Sequence, residues 1–341
     1  MQKDNIIIAD CSIGEVEPFA NAMCTDEIAF SIKSHIANWK RTGKLSELKR
    51  YATYFFVAFR YFLKRKNYNY IIGWQQFYAL IFGFFSWLFK VEKHNTVVAL
   101  NFTYKGKAGK KGKLYLWFMK KCLETGYIDF IHVPSNEYAY IIANSFNFSI
   151  NKIIVSPFGI NDPYKEYSAL AVPNNAPTKY ALAIGRSNRD YNFLIDAWED
   201  IEYPLVIISD TYTKDNRGNK KITILNNIAG EESYPWIAHC NAMVIPIDDG
   251  KICSGDTVLL TALAMQKKVL VTAPSTLAEM YIENENNGLI VKKDVQLFGE
   301  VIKDLLFSDK YDALQQRARE SYLQSFSRES MGRQIIKYIV D

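Results

Sequence analysis

Short apolar runs alternate with amphipathic stretches over the first 150 residues. The run Ile6-Ile7-Ile8-Ala9 precedes a polar turn with Gly14, which is typical of the first strand of an open α/β sheet. Further strands are predicted at Tyr70 to Gly73, Thr96 to Leu100 and Ile128 to Val133. Helices are predicted over Ile28 to Trp39, over Ser46 to Lys66, and after Ser135 or Asn136, either of which could cap the helix.

The alternation is more regular beyond a proline-rich segment between Pro157 and Pro177, which predicts a domain boundary. Five predicted strands follow, at Tyr180 to Ile184, Leu205 to Ser209, Ile222 to Leu225, Ala242 to Ile247 and Val269 to Thr272. Short apolar strands alternating with helices predict a parallel sheet covered on both faces. With 341 residues, 49% of them apolar, the chain can form two such sheets, so the predicted class is α/β.

One apolar stretch, Ile71 to Phe89, has 19 residues without a formal charge, which is near the length of a membrane span. Gln75 and Gln76 would lie in hydrocarbon, and Gly73 interrupts the stretch. We therefore expect a buried strand, a turn and a buried or membrane-facing helix.

The apolar run near the N-terminus is too short for a signal peptide, and the five cysteines are scattered and odd in number. Both features predict a cytoplasmic location, free or peripheral on the inner face of the cell membrane.

Charge is unevenly distributed along the chain. Residues 1–150 carry 20 Lys and Arg against 11 Asp and Glu, whereas residues 151–341 carry 21 against 25. The basic half predicts an anionic partner: a phospholipid headgroup, a pyrophosphate-linked acceptor or nucleic acid.

Two loops after predicted strands have the chemistry of phosphate sites. In the first, Gly185 permits close backbone approach, and Arg186 and Arg189 offer forked cationic donors ahead of a helix. In the second, Ser254 or Asp256 could cap the next helix while free N–H groups face a ligand. Ordinary surface arginines and capping without a ligand are the alternatives.

Several segments together resemble the nucleotide-sugar half of glycosyltransferases with the GT-B architecture, in particular the family 4-like group. They are IVSPFGIND at 154–162, ALAIGRSNRDYNFLIDAW at 181–198, VIISD at 206–210, NAMVIPIDDGKICSGDTVLLTALAMQKKVLVT at 241–272 and NENNGLIV at 284–291. The resemblance implies two Rossmann-like domains facing one another across a cleft. An acceptor-binding domain would span residues 1–155 and a nucleotide-sugar-binding domain residues 156–325, with a helix at 326–341 returning to the first domain.

The resemblance also implies a glycosyltransferase that uses a nucleotide-diphosphate sugar as donor substrate, with no cofactor and no metal. Asp248 and Asp249 are adjacent and do not form a spaced Asp-x-Asp pair, so the cations and the helix start would stabilise the leaving diphosphate. The residues expected to bind the donor are Gly185, Arg186, Arg189, Asp210, Lys251, Ser254, Gly255, Asp256, Thr257, Thr261 and Glu279.

One departure from the family concerns two glutamates separated by seven residues, which many retaining members carry. The corresponding positions are Cys253 and Thr261. Thr261 could still hydrogen-bond a ribose hydroxyl, or Glu279 could approach from the next loop. The stereochemical course, retaining or inverting, therefore stays open.

An inverting reaction needs a base in the first domain. Asp10, at the end of the first strand, is the first candidate and Glu15 the second, with a turn or helix cap as the alternative role for Asp10. Asn101, Lys105 and Lys107 are expected to bind the acceptor, a glycan or lipid-linked glycan. The four histidines have no partner spacing and are expected to be structural or on the surface.

Basic and aromatic side chains interleave at 49–66 and 104–121, which suits an anionic membrane surface. The alternative is that the aromatics form the core and the lysines solvate it. Nucleic acid is not expected beside a nucleotide-sugar signature. Two other functions stay open: a family member that binds the donor, or a partner transferase, without turnover, and a sugar-nucleotide epimerase.

Overall fold

The computed structural model describes residues 3–36, 44–212, 216–252 and 254–340. Contacts divide the chain into unit 1, Met1–Phe158 with Arg328–Asp341, and unit 2, Gly159–Ser327. Each unit contains a six-stranded parallel sheet with flanking helices. The predicted α/β class with two parallel sheets is therefore confirmed.

Unit 1 has the strand order β2-β1-β3-β4-β5-β6. Its strands are β1 (Asp4–Ala9), β2 (Phe30–Ser34), β3 (Tyr68–Gly73), β4 (Thr96–Ala99), β5 (Phe130–Val133) and β6 (Ile153–Val155). Its helices, numbered along the whole chain, are α1 (Ile13–Met23), α2 (Lys44–Leu63), α3 (Gln76–Leu88), α4 (Gly109–Glu124), α5 (Asn136–Phe146) and α13 (Arg328–Val340). Ser135, one of the two predicted caps, accepts a hydrogen bond from the Tyr138 N–H at the start of α5.

The apolar run of β1 is buried on both faces of this sheet. Ile6 and Ile8 pack in a core with α2, α3, α4 and α5, whereas Ile7 and Ala9 pack in a second core with α1 and α13. Successive strand residues point to opposite faces, so four consecutive apolar residues are needed when both faces are covered.

Helices α1 and α13 approach each other closely at Gly332. A Cβ atom placed there would lie 2.6 Å from the carbonyl oxygen of Phe19. Met331 and Ile335 from α13 are fully buried against the residues of α1. The last helix of the chain thus completes the core on one face of unit 1.

The helix predicted over Ile28 to Trp39 is wrong where it can be checked, because Phe30–Ser34 forms β2. Phe30 and Ile32 alternate with polar residues and are only half-buried, as in a strand at the edge of a sheet. Residues 37–39 lie outside the described residues.

The uncharged stretch from Ile71 to Phe89 forms the end of β3, a turn and the mostly buried helix α3, as the sequence predicted. In the ranges that the structure describes, no helix has both the length and the apolar character needed to cross a membrane.

Unit 2 has the strand order β12-β11-β10-β7-β8-β9. Its strands are β7 (Ala181–Ile184), β8 (Leu205–Ile208), β9 (Ile222–Leu225), β10 (Ala242–Ile245), β11 (Lys268–Ala273) and β12 (Leu289–Lys292). Its helices are α6 (Tyr164–Tyr167), α7 (Tyr191–Ala197), α8 (Tyr234–His239), α9 (Asp256–Ala264), α10 (Thr276–Tyr281), α11 (Val295–Phe307) and α12 (Ala313–Ser321). The strands predicted for this half are confirmed to within two residues at each end.

Candidate functional site

The strand order of unit 2 reverses between β7 and β10, which are neighbours in the sheet although two strands separate them in the chain. Ligands of open parallel sheets bind outside the carboxyl ends of the strands at such a switch point. Two loops reach this point, residues 185–190 after β7 and residues 246–255 after β10. They are the two loops whose composition predicted a phosphate site.

Arg189 lies between glycines that belong to these two loops. Gly185 and Gly255 have φ angles of +149° and +108°, which favour glycine. A Cβ atom at Gly185 would lie 2.9 Å from Nε of Arg189, and one at Gly255 would overlap its Nη2 atom. The two glycines therefore make room for the guanidinium group.

Arg189 also joins the loops through hydrogen bonds. Its Nη1 atom donates to the carbonyl oxygens of Ser187, Asn188 and Ser254, each at 3.3 Å. Its Nε atom is buried without a hydrogen-bond partner, and burial lowers the pKa of the group. We conclude that Arg189 fixes the loops and retains donor capacity.

Sequence reasoning missed Asn188, which fastens the same two loops. Its amide Nδ2 donates to the carbonyl oxygens of Asp249 at 3.0 Å and Ile252 at 3.1 Å, and its Oδ1 accepts from the Asp249 N–H at 2.7 Å. The available signal was an asparagine in a loop directly after a strand, since asparagine tolerates the positive φ of +55° found here.

Helix α9 begins at the switch point without a side-chain cap. The N-cap residue is Gly255, so the prediction that Ser254 or Asp256 caps the helix is wrong. A side-chain cap must come from the N-cap position, and glycine has no side chain to offer. Ser254 instead approaches Ser187, with 3.3 Å between their hydroxyl oxygens, and Asp256 occupies the first turn.

The remaining donor-binding candidates, apart from Thr261, are exposed. Arg186, Lys251 and Thr257 are exposed near the switch point. Asp210, exposed after β8, accepts a hydrogen bond from the Asn227 N–H at 2.7 Å. Glu279 is exposed on α10, which follows β11.

Of the two positions that correspond to the family's glutamates, Thr261 is 1% exposed, in the buried part of α9. The structure therefore does not bring it to the surface with the other candidates. Cys253 lies outside the described residues.

In unit 1, Asp10 follows β1 and its Oδ2 accepts a hydrogen bond from the Tyr54 hydroxyl at 2.8 Å. Burial, together with this bond, raises the pKa of Tyr54, so the phenol stays protonated and donates. The N-cap of α1 is Ser12, whose hydroxyl exchanges hydrogen bonds with Glu15. Glu15 is thus engaged in helix capping, whereas Asp10 is not the cap.

Asn101 follows β4 in a left-handed conformation with φ of +52°. Its N–H donates to Nδ1 of the buried His132 at 3.2 Å, and its side-chain amide lies 3.4 Å from the carbonyl oxygen of Trp74. The other nitrogen of His132, Nε2, lies 3.0 Å from the carbonyl oxygen of Ser156. Burial lowers the pKa of His132 to about 4, so the ring is neutral and structural, as expected from the sequence.

Lys105 and Lys107, the other two acceptor-binding candidates, are exposed in the segment after β4. Both line a cavity of unit 1 that Arg50 of α2 also lines. Within the described ranges of either unit, no three His, Cys, Asp or Glu side chains are arranged to hold a metal ion.

The family comparison bears on the unit that contains both loops of the switch point. Residues 178–308 match the family model described as "Glycosyl transferases group 1", and this range runs from just before β7 to the end of α11. Unit 2 carries a glycosyltransferase domain. The chain is therefore an enzyme of the glycosyltransferase class, as the sequence predicted, and its general activity is glycosyl transfer from a nucleotide sugar.

Solved structures confirm that this glycosyltransferase has the GT-B fold. The sucrose-phosphate synthase from Thermosynechococcus elongatus has a TM-score of 0.65 and 14% identity, and the match covers 99% of this chain and 98% of that one. Alr3699/HepE from Anabaena, solved with UDP and glucose, gives 0.60 and 12%, over 99% and 100%. WaaG, a glycosyltransferase involved in lipopolysaccharide biosynthesis, gives 0.60 and 13%, over 97% and 99%. Among curated proteins none matches the sequence.

Proposed function

We propose that this enzyme transfers a sugar from a nucleoside diphosphate sugar to a glycan or a lipid-linked glycan in the synthesis of surface polysaccharide or another glycoconjugate. The observation that carries the proposal is that the glycosyltransferase match spans both loops of the unit 2 switch point. The UDP and glucose bound by Alr3699/HepE and the lipopolysaccharide role of WaaG support the donor and the pathway.

The donor diphosphate binds at the switch point of unit 2. Arg186 and Lys251 are exposed there, and α9 begins at Gly255 without a side-chain cap. When the bond between the anomeric carbon and the diphosphate oxygen breaks, negative charge grows on the diphosphate. The cations and the positive end of α9 stabilise that charge, so this mechanism requires no metal ion and no cofactor.

The acceptor binds to unit 1, where Asp10 is the base for an inverting course. It takes the proton of the acceptor hydroxyl as that oxygen attacks the anomeric carbon. The hydrogen bond from Tyr54 to Oδ2 orients the carboxylate and leaves Oδ1 for the acceptor. The side-chain amide of Asn101 holds the loop that follows β3.

Unit 1 meets an anionic membrane surface that supplies the lipid-linked acceptor. Large apolar side chains are exposed on α2, on α4 and at the end of α3, among them Phe56 at 69%, Leu63 at 62% and Leu114 at 65%. Lys64, Lys66 and Lys113 are exposed beside them. Aromatic groups that enter the interface next to cations that meet headgroups are the usual composition of such a surface.

A thermal-shift screen of UDP-, GDP-, CMP- and TDP-sugars tests the donor site, because a ligand that binds only the folded state raises the melting temperature. We expect one nucleotide series to stabilise the protein. Arg186→Ala should weaken donor binding by roughly 10-fold to 100-fold, the loss of one charge-assisted hydrogen bond. The measurement is the donor Kd of each variant by calorimetry.

The matched control is Lys303→Ala, which removes one exposed positive charge from the third turn of α11 and should leave the donor Kd unchanged. If Arg186→Ala bound the donor as tightly as the wild-type protein does, the diphosphate would bind elsewhere. Donor binding without hydrolysis or transfer in the presence of acceptor extract would favour a binding protein, and isomerised donor would favour an epimerase.

A further inference from the structure

Unit 1 contains a cavity of about 270 Å³ whose lining is cationic and aromatic. Its charged lining residues are Arg50 from α2 and Lys105 and Lys107 from the segment after β4. Among the residues that the structure describes, no Asp or Glu lines it. Tyr51, Tyr54 and Tyr115 supply its aromatic walls.

The cavity lies at the switch point of the unit 1 sheet. In the order β2-β1-β3-β4-β5-β6 the direction reverses between β1 and β3, and ligands bind outside the carboxyl ends there. Gln75 and Gln76, which line the cavity, follow β3 after one intervening residue, Trp74. Tyr54, another lining residue, donates its hydroxyl hydrogen bond to Asp10 after β1. The cavity is therefore next to the proposed base.

The walls of the cavity are held in place by contacts within unit 1. The amide of Gln76 donates to the Thr103 carbonyl oxygen at 2.9 Å and accepts from the Thr103 N–H at 3.0 Å. This pair fixes the start of the segment that carries Lys105 and Lys107. Tyr54 stacks on Phe77 with 6.1 Å between ring centroids, which fixes the opposite wall.

The three cations lack anionic partners within the described part of the chain. None of them forms an ion pair with a described carboxylate, and Nε of Arg50 is buried without a hydrogen-bond partner. Their other contacts are with aromatic faces: Arg50 lies 5.6 Å from the ring centroid of Tyr51, and Lys107 lies 5.4 Å from that of Tyr115. Three like charges around one cavity repel one another unless an anion occupies it.

We propose that this cavity binds a phosphate group of the acceptor, so that the acceptor is a phosphorylated saccharide and not a neutral glycan. The inference rests on the proposed function. The three cations match the charge of a phosphate monoester or diphosphate, and the hydroxyls of Tyr51 and Tyr115 supply further donors. A phosphate held there would place the attached sugar beside Asp10. The phosphate can come from a lipid-linked diphosphate or from a soluble sugar phosphate.

Calorimetric titration with inorganic pyrophosphate tests the cavity, provided that binding in unit 2 is separated from it. Arg186→Ala weakens the proposed donor site, so the tighter binding that remains in that variant reports unit 1. Adding Lys105→Ala and Lys107→Ala should weaken the remaining binding at least tenfold, because both lysines lose their contact with the anion. Both lysines are exposed, and the melting temperature without ligand checks that the fold is intact.

The matched control is Lys110→Ala with Lys111→Ala, which removes the same charge from exposed positions at the start of α4 that do not line the cavity. The proposal would be overturned if this control weakened pyrophosphate binding as much as the Lys105 and Lys107 pair does. It would also be overturned if the Lys105 and Lys107 pair left pyrophosphate binding unchanged. If Arg186→Ala leaves pyrophosphate binding unchanged while the lysine pair weakens it, the result contradicts the donor site but not the cavity of unit 1.

Competition then identifies the source of the phosphate. Displacement of pyrophosphate by detergent-dispersed farnesyl diphosphate, at least tenfold better than by glucose 6-phosphate, assigns a lipid-linked acceptor. The reverse preference assigns a soluble one. If the neutral disaccharide maltose displaced pyrophosphate as effectively as either phosphate compound does, the proposal would be overturned.

Discussion

His132 couples the pH of the medium to the loop that carries Asn101. Its Nδ1 accepts the Asn101 N–H, so Nε2 carries the proton and donates to the Ser156 carbonyl oxygen. Protonation of Nδ1 would break the first of these bonds inside the core. The imidazole therefore has to remain neutral for the Asn101 loop to keep its conformation.

We predict that the free energy of unfolding falls as the pH drops from about 6.5 to about 4. Burial holds the pKa of His132 at about 4, below its ordinary value of 6.5. Within this window the unfolded chain binds a proton that the folded chain does not, so acid favours unfolding, by up to roughly 3 kcal/mol. Urea unfolding at several pH values measures the slope.

In His132→Gln this part of the pH dependence should disappear, although the variant is less stable overall. His94→Gln, which removes an exposed imidazole from the same unit, should keep it. A slope that is identical in wild type and His132→Gln would show that other groups cause the acid sensitivity.

Between the elements of unit 1, α13 contacts α1 closely at Gly332. Gly332→Ala should destabilise the protein by roughly 1–3 kcal/mol, because the new Cβ would overlap the Phe19 carbonyl and force the helices apart. Urea unfolding checks the change. Gly14→Ala in α1 is the matched control, since a Cβ there meets nothing within 4 Å, and it should be neutral or stabilising by at most about 1 kcal/mol. Equal destabilisation by both would contradict the close packing.

Five of the six strands of unit 2, all except β12, are predictable from sequence because each is a short apolar run bounded by polar turns. The donor loops are predictable for the same reason, since the position after a strand fixes which edge of the sheet they occupy. The prediction for the segment that forms strand β2 fails because its few half-buried residues carry a weak pattern that a helix can also produce. The predicted side-chain cap of α9 is wrong because Gly255 is the N-cap. The φ angle of Gly255 is set by the surrounding loop.

The cavity of unit 1 could not be predicted in this way. Arg50, Gln75 and Tyr115 are far apart in the chain and come together only because α2 and α4 both pack beside α3. Lys105 and Lys107 were identified by their charge, but their cationic partner Arg50 was hidden in an aromatic helix. Helix packing of this kind depends on contacts between distant residues, which a local pattern does not contain.

Over the entire chain, the division of charge follows the two units. Unit 1 has 24 Lys and Arg against 13 Asp and Glu, and unit 2 has 17 against 23. An anionic surface therefore attracts unit 1 and repels unit 2. The small net charge of +5 hides this difference.

We predict that the protein pellets with vesicles of anionic phosphatidylglycerol at low salt and is released at high salt. Phe55→Ser with Phe56→Ser should weaken the partitioning at least about tenfold, because each exposed phenyl group on α2 contributes apolar burial of about 1.5–3 kcal/mol when fully inserted. Sedimentation at several salt concentrations measures the binding.

Val295→Ser with Leu297→Ser removes two exposed apolar side chains from α11 of unit 2 and should leave the partitioning unchanged. Neutral phosphatidylcholine vesicles should bind weakly in every case. Binding that is indifferent to lipid charge and to salt would remove the membrane surface from the proposal.

Unit 1 is assembled from segments that precede and follow unit 2 in the sequence, and this order matters during translation. The sheet face that bears Ile7 and Ile72 is closed partly by Met331, Ile335 and Ile339, which follow unit 2 in the sequence. All of unit 2 is synthesised in the meantime. The nascent chain thus exposes this apolar sheet face until α13 has been synthesised, and holding chaperones bind surfaces of this kind.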